Sequence, residues 1–143
     1  MTIWKWYEFN ELTPNQLYSI LQLRELVFTI SQNCNEPDLD NVDISATHFT
    51  AYENEKLIAY LRAYPKDNKI KIGRVVVHPD YQHKGLGRAM MLQTIPHLQQ
   101  HYPGKQLEMS AQYYLEKFYQ SLGFVTTSDV YLEAGIQHVT MSM

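Results

Sequence analysis

The stretch Val75-Val76-Val77-His78-Pro79-Asp80-Tyr81-Gln82-His83-Lys84-Gly85-Leu86-Gly87-Arg88 decides how this chain folds. Three consecutive β-branched residues predict a buried strand, which Pro79 ends by withholding an N–H. Gly85 and Gly87 then open a run with helical spacing, Leu86, Ala89, Met90, Leu92 and Ile95, that fades near Tyr102. A strand feeding a glycine-bearing turn at a helix N-terminus leaves several amide N–H groups unpaired and pointing outward. The helix dipole adds partial positive charge there, so the turn suits an anion, phosphate above all. A side chain at the glycine positions would hold phosphate off those amides and could not take a positive φ cheaply. An ordinary structural turn is the alternative, because glycine pairs also mark strand–helix junctions.

Upstream, Ile3 to Phe9 alternates aromatic and polar residues and predicts a first strand. Thr13 and Pro14 start a helix as N-cap and first helical residue, and Leu17, Ile20, Leu21, Leu23, Leu26, Val27 and Ile30 carry it to about Ser31. Residues 32–47 change character: Asp38, Asp40 and Asp43, with Pro37 and several Asn, predict a polar, acidic loop. Phe49 to Tyr52 and Leu57 to Tyr64 read as strands around the hairpin Glu53-Asn54-Glu55, and Lys69 to Val77 as a central strand. Downstream, Pro96 is expected to bend or end its helix. Leu107 to Ala111 predicts a strand with Leu107, Met109 and Ala111 on one face, and Tyr113 to Leu122 a short helix stopped by Gly123. Phe124 to Tyr131 and His138 to Met143 predict two closing strands joined through Gly135. The order β-α-(α)-β-β-β-α-β-α-β-β defines an α/β (α+β) chain with a mixed sheet and helices on its faces. No repeat or linker interrupts residues 1–143, which read as one domain.

With 45% apolar and 13% aromatic residues, the composition is that of a globular chain. Twelve basic against fifteen acidic residues give a net charge of −3, and no basic run occurs, which argues against a nucleic-acid partner. Cys34 is the only cysteine, so no intrachain disulfide forms and a reducing compartment is expected. No signal-like apolar core and no run of about 18 apolar residues occurs, so a cytoplasmic protein without membrane spans is expected. His97 and His101 have i, i+4 spacing but lack the Glu and third ligand of a zinc motif, so they read as surface histidines and no metal site is expected.

The phosphate loop is identified by elimination. A Walker loop is absent, since Gly104-Lys105 is followed by Gln106, and a dinucleotide fingerprint fails because Met90 stands where its third small residue belongs. What remains, Gln82-x-x-Gly85-x-Gly87 behind Val77-His78-Pro79, resembles the coenzyme A pyrophosphate motif of the GNAT superfamily of N-acetyltransferases. The segment Leu115-Glu116-Lys117-Phe118-Tyr119-Gln120-Ser121-Leu122-Gly123-Phe124 is similar to that family's FYxxxGF segment, and the element order matches its fold over nearly the whole chain. Leu21-Gln22-Leu23-Arg24, Val27-Phe28, Gln32-Asn33-Cys34 and Gly135-Ile136-Gln137-His138 resemble the ElaA-type branch more narrowly.

The resemblance implies a GNAT-like mixed, mostly antiparallel central sheet, acetyl-CoA as cosubstrate and no metal. It places Gln82, His83, Lys84, Gly85, Leu86, Gly87 and Arg88 around the pyrophosphate, with Arg88 equally readable as a solvated first-turn residue. Val75 and Val77 would offer main-chain groups to the pantetheine arm, and an N–H near Val76 or Val77 would stabilise the oxyanion. Tyr119, beside Phe118, would protonate the leaving thiolate; its other reading is a core tyrosine in the apolar stripe Leu115, Phe118, Tyr119 and Leu122. Glu108 reads either as a proton acceptor or as a solvent-facing carboxylate, and Asp38, Asp40 and Asp43 either attract a cationic amine or form a solvated loop. His78 and His138 are each able to line a cleft. The implied partner is an amine, small or on a protein surface, acetylated by a monomer or homodimer. The alternatives are a domain that holds coenzyme A without chemistry and an acyl-CoA-using synthase of a signal molecule.

Overall fold

The computed structural model describes residues 1–143. Eight strands share one sheet: β1 (Ile3–Glu8), β2 (Thr47–Glu53), β3 (Lys56–Lys66), β4 (Lys69–Val77), β5 (Gln106–Gln112), β6 (Val125–Thr126), β7 (Tyr131–Glu133) and β8 (Ile136–Ser142). They lie in the order β1-β2-β3-β4-β5-β8-β6, with β7 also paired to β8. Only β4 and β5 run parallel; every other neighbouring pair is antiparallel. Helix α1 (Pro14–Arg24) packs a small core of Ile20, Leu23, Val27, Leu57, Tyr60 and Val76 on one face. On the other, α2 (Leu86–His101) and α3 (Glu116–Gln120) close the larger core, which includes Ile70, Ile72, Met90, Met91, Leu98 and Tyr119. This is the mixed sheet with helices on its faces that the element order predicts, and it is mostly antiparallel, as the resemblance implies.

Local chemistry accounts for many of the boundaries. Thr13 Oγ1 accepts the Gln16 N–H at 3.1 Å while Gln16 Oε1 accepts the Thr13 N–H at 2.9 Å, a reciprocal cap followed by Pro14. The two-residue turns Asn54-Glu55 and Asp67-Asn68 carry positive φ at both positions, the geometry that matches the twist of hairpin strands.

The structure corrects four expectations. The first helix does not stay α-helical to Ser31: Glu25–Ser31 widens into a π turn, where the Gln32 N–H reaches back to the Val27 carbonyl at 3.0 Å. Ile30, placed inside by α-helical spacing, is 64% exposed as a result. Pro96 does not end α2; its missing N–H would have met the carbonyl of Leu92, and both residues lie on the solvent-exposed side of the helix. The predicted strand from Phe124 to Tyr131 is two short strands, bridged where the Thr127 N–H and Ser128 Oγ bond the Thr140 carbonyl and N–H. The helix over Tyr113–Leu122 shrinks to a 3₁₀ turn and the five residues of α3.

His97 and His101 are not simple surface groups. Trp6 stacks on Phe49 at 4.4 Å between ring centroids, His97 on Trp6 at 4.1 Å and His101 on His97 at 4.1 Å, which ties β1 to the end of α2. No helix is long and apolar enough to cross a membrane.

Candidate active site

The β3–β4 ladder skips a residue. Arg62 faces Gly73 and Tyr60 faces Val76, so Arg74 and Val75 together oppose Leu61 in a β-bulge, with Arg74 at φ +51°. One extra residue flips every face beyond it. Ile70 and Ile72 point into the larger core, whereas Val76 turns into the small core under α1, leaving Val75 and Val77 against the larger one. Main-chain groups flip as well. Val76 pairs with Tyr60, and the His78 N–H bonds the Ile58 carbonyl at 2.8 Å, so by strand alternation Val75 and Val77 aim their N–H and C=O groups away from β3.

They aim into a gap. Parallel pairing between β4 and β5 runs only from Lys69–Gln106 to Ile72–Met109, and beyond it the two strands have no pairing. Val75 and Val77 therefore present strand-like donors and acceptors without a strand to meet them. The Val76 amide belongs to the β3 ladder, which leaves Val77 as the better placed of the two expected oxyanion donors.

Past Val77 the chain wraps toward α2. Pro79–Tyr81 forms a 3₁₀ turn whose cap is His78, with Nδ1 accepting the Asp80 N–H at 3.1 Å, so His78 is a structural cap. Gln82 Nε2 donates to the Val77 carbonyl at 3.1 Å and folds the loop back on the strand end. His83 at φ +62° and Gly85 at φ +77° complete the turn. The first helical bond is from Ala89 N–H to the Gly85 carbonyl at 3.0 Å, and no side chain caps the helix, so the amides of Leu86, Gly87 and Arg88 have no helical acceptor. Gly85 is required by its left-handed φ. Gly87 is not: it lacks a positive φ, and a Cβ there would lie 3.9 Å from Val77 Cγ2, an ordinary contact. Neither packing nor conformation calls for a glycine at 87, and its bareness leaves the amides open to a ligand. These residues fit a pyrophosphate. Lys84 is exposed, its Nζ 5.5 Å from the centre of the Tyr81 ring, and Arg88 donates to Ser121 Oγ at 3.1 Å, tying α2 to the end of α3.

Tyr119 is 5% exposed within the larger core, its ring edge-on to Phe118 at 5.1 Å and to Phe124 at 6.1 Å. Burial, with a smaller contribution from Tyr114, pushes its phenol up to about 12. Phe118 is half-buried against the same core.

The acidic groups take neither of their expected roles. Glu108 is bound by Lys69 and Lys71 from the neighbouring strand, and these partners hold its carboxyl below the usual range, so it is a cross-strand ion pair. Asp38, Asp40 and Asp43 meet three arginines. Fully buried Arg24 donates to Asp43 at 2.7 Å and to Asp38 at 2.9 Å; Arg62 grips Asp40 through two nitrogens at 2.9 and 2.6 Å and also reaches Asp43 at 2.9 Å. Burial pushes the Asp43 carboxyl up, but Arg24 and Arg62 outweigh it and keep it below the ordinary range. His48 completes the knot, its Nε2 on the Asp43 carbonyl at 2.9 Å and its Nδ1 on the Tyr60 hydroxyl at 2.6 Å, and burial pushes its imidazole down.

One polar group was not foreseen from sequence. On the flank of the gap formed by β5, β7 and β8, Ser110 Oγ donates to Glu133 Oε1 at 3.2 Å, and buried His138 has Nε2 3.4 Å from Glu133 Oε2 and Nδ1 on the Ile136 carbonyl at 2.7 Å. Gln112 Nε2 donates to Gln32 Oε1 at 3.0 Å across the mouth of the same region. Ser110–Glu133, Glu133–His138 and Gln112–Gln32 join residues from different elements, which local patterns do not reveal.

A sheet opened by a bulge, with unpaired strand groups leading to bare amides at a helix N-terminus, is the architecture of an acyl-CoA N-acyltransferase. The chain belongs to the GNAT acetyltransferase family: residues 18–143 match its Acetyltransferase (GNAT) domain. It is 36% identical to the ElaA protein of Escherichia coli over 147 aligned positions, covering 99% of this chain and 96% of that one. The ElaA crystal structure superposes with a TM-score of 0.94 at 35% identity, covering 99% of both chains. An acyl-CoA N-acyltransferase from Pseudomonas aeruginosa gives 0.95 at 31% identity, again covering 99% of both. An N-acetyltransferase of Thermoplasma acidophilum, solved in complex with coenzyme A, shares the fold at 12% identity and a TM-score of 0.67, over 96% of this chain and 98% of that one.

Proposed function

We propose that this protein, acting as a single domain, is an acetyl-CoA-dependent N-acetyltransferase that moves the acetyl group directly to a primary amine in a ternary complex. The observation that carries this reading is the gap between β4 and β5, whose Val75 and Val77 main-chain groups lead to the uncapped amides of residues 86–88. The pantetheine arm pairs with Val75 and Val77 as an added strand, and the pyrophosphate sits on the loop Gln82–Arg88. The amine approaches from the α1 face, past Ser110 and Glu133. Its nitrogen lone pair attacks the thioester carbonyl carbon, the Val77 N–H stabilises the oxygen, and the carbon–sulfur bond breaks with its electron pair on sulfur. Tyr119 gives that thiolate a proton and is reprotonated from solvent, which also takes the extra proton of the amine, so the enzyme ends as it began.

Calorimetric titration with coenzyme A, followed by thiol release from acetyl-CoA across a panel of amines, tests this reading. Binding with amine-dependent release supports it, and absence of binding overturns it. The burial of Tyr119 among Phe118 and Phe124 favours a second reading, a coenzyme A-holding domain without turnover. Binding without release for any amine is the result expected of that domain.

A further inference from the structure

Arg74 is the residue that makes the bulge. A side chain with a Cβ enters the left-handed region only when its surroundings hold it there. Here the surroundings are the acidic loop. Arg74 Nε lies 2.8 Å from Asp38 Oδ1, and a terminal nitrogen donates to the Asp38 carbonyl at 2.9 Å and lies 3.4 Å from Asp40 Oδ2. Asp38 and Asp40 are themselves fixed from behind by buried Arg24 and Arg62. The loop is thus a clamp anchored in the α1 face, and its free jaw closes on the one strained residue of β4.

Without the extra residue at 74–75 the ladder from Arg62–Gly73 would continue to Leu61–Arg74 and Tyr60–Val75. The main-chain groups of Val75 would then face β3, and those of Val76 would face the gap. We infer that Arg74 is a positioning residue: its grip on Asp38 and Asp40 holds the bulge that presents Val75 and Val77 to the acyl-CoA, so the acidic loop sets coenzyme affinity from across the sheet. The inference rests on the coenzyme reading of the gap.

Arg74→Gly removes the grip and leaves a residue that takes the left-handed and the extended conformations alike, so nothing holds the bulge in place. Coenzyme A affinity by calorimetry is expected to fall at least tenfold. The KM for acetyl-CoA should rise in proportion, with kcat at saturation changed less than threefold and the circular dichroism native. Arg74→Lys keeps the charge but not the forked reach, and is expected to lose an intermediate amount. In the ligand-free protein, amide exchange of His78, whose N–H bonds the Ile58 carbonyl, should quicken in Arg74→Gly as the register loosens. Should Arg74→Gly fail to fold, Asp38→Asn gives the same readouts with Arg74 in place. Wild-type affinity together with wild-type His78 exchange in these variants would overturn the inference alone. A wild type that binds no coenzyme A would overturn the reading of the gap and the claim about affinity, and His78 exchange would still judge the clamp.

Discussion

At Tyr119, burial keeps the proton on the phenol but makes it a weaker acid toward the thiolate. A phenol pushed up to about 12 keeps its proton at any neutral pH, so the donor form is always present. Phenylalanine preserves the ring contacts with Phe118 and Phe124. Tyr119→Phe is therefore expected to leave coenzyme A affinity and melting temperature near wild type, while kcat falls by roughly 10²–10⁴-fold, as for a placed proton donor. Full turnover in that variant would make Tyr119 a core residue only. Gly87 offers a different signature. Its added methyl finds room beside Val77 and replaces the poorest non-proline helix former, so Gly87→Ala should gain up to about 1 kcal/mol in stability by denaturant melts. The same methyl stands over the free amides, so affinity for coenzyme A should fall by about tenfold, or roughly 1.4 kcal/mol. The glycine loop was readable in the sequence because its geometry is local. The apolar stripe offered a core place for Tyr119, but not its edge-on contact with Phe124, which lies beyond the end of the tyrosine's helix.

Elements are joined here by charge more than their sequences disclose. Asp38, Asp40 and Asp43 read as a solvated or substrate-facing loop because Arg24, Arg62 and Arg74 lie 14 to 36 positions away along the chain. The cap of α1 was legible for the opposite reason: Thr13, Pro14 and Gln16 settle it among themselves. The π turn was not, since seven residues of apolar periodicity fit either helix. The knot has an acid signature. Asp40 is held at about 2 by Arg62, against burial, whereas in the unfolded chain it titrates near 3.8. A depressed folded-state value means that its contribution is complete above pH 4 and is lost as pH falls from about 4 to about 2. Asp40→Asn should accordingly be less stable than wild type at pH 7, with the two converging through that window in urea melts. A gap that persists at pH 2 would place the stabilisation elsewhere.

For the molecule as a whole, ligand and fold should be thermodynamically linked. If only the native state binds, coenzyme A at a hundredfold excess over its Kd adds about 2.7 kcal/mol, which for a chain of this size raises Tm by roughly 5–10 °C. A Tm unmoved by saturating acetyl-CoA would return the loop to a purely structural turn. The order of the elements and the place of the glycine loop followed from apolar periodicity and punctuation along the chain, which gave seven strands where the sheet has eight because the stretch after Phe124 is split in two. The bulge did not, because β4 reads as one unbroken strand and only its pairing with β3 reveals the extra residue.

The ring stack at the far end of α2 has an optical consequence. The chain has two tryptophans, Trp4 and Trp6, both on β1, and Trp6 lies face to face with His97. Eleven residues of helix, about 16 Å, separate His97 under that indole from the start of α2 at the glycine loop. Intrinsic emission thus gauges the remote end of the helix and is blind to direct contact at the loop. Because burial and the neighbouring His101 hold the His97 imidazole below its usual range, quenching by the protonated ring sets in only under mild acid. At neutral pH a change in tryptophan emission on adding coenzyme A is a mechanical signal, carried down the length of α2.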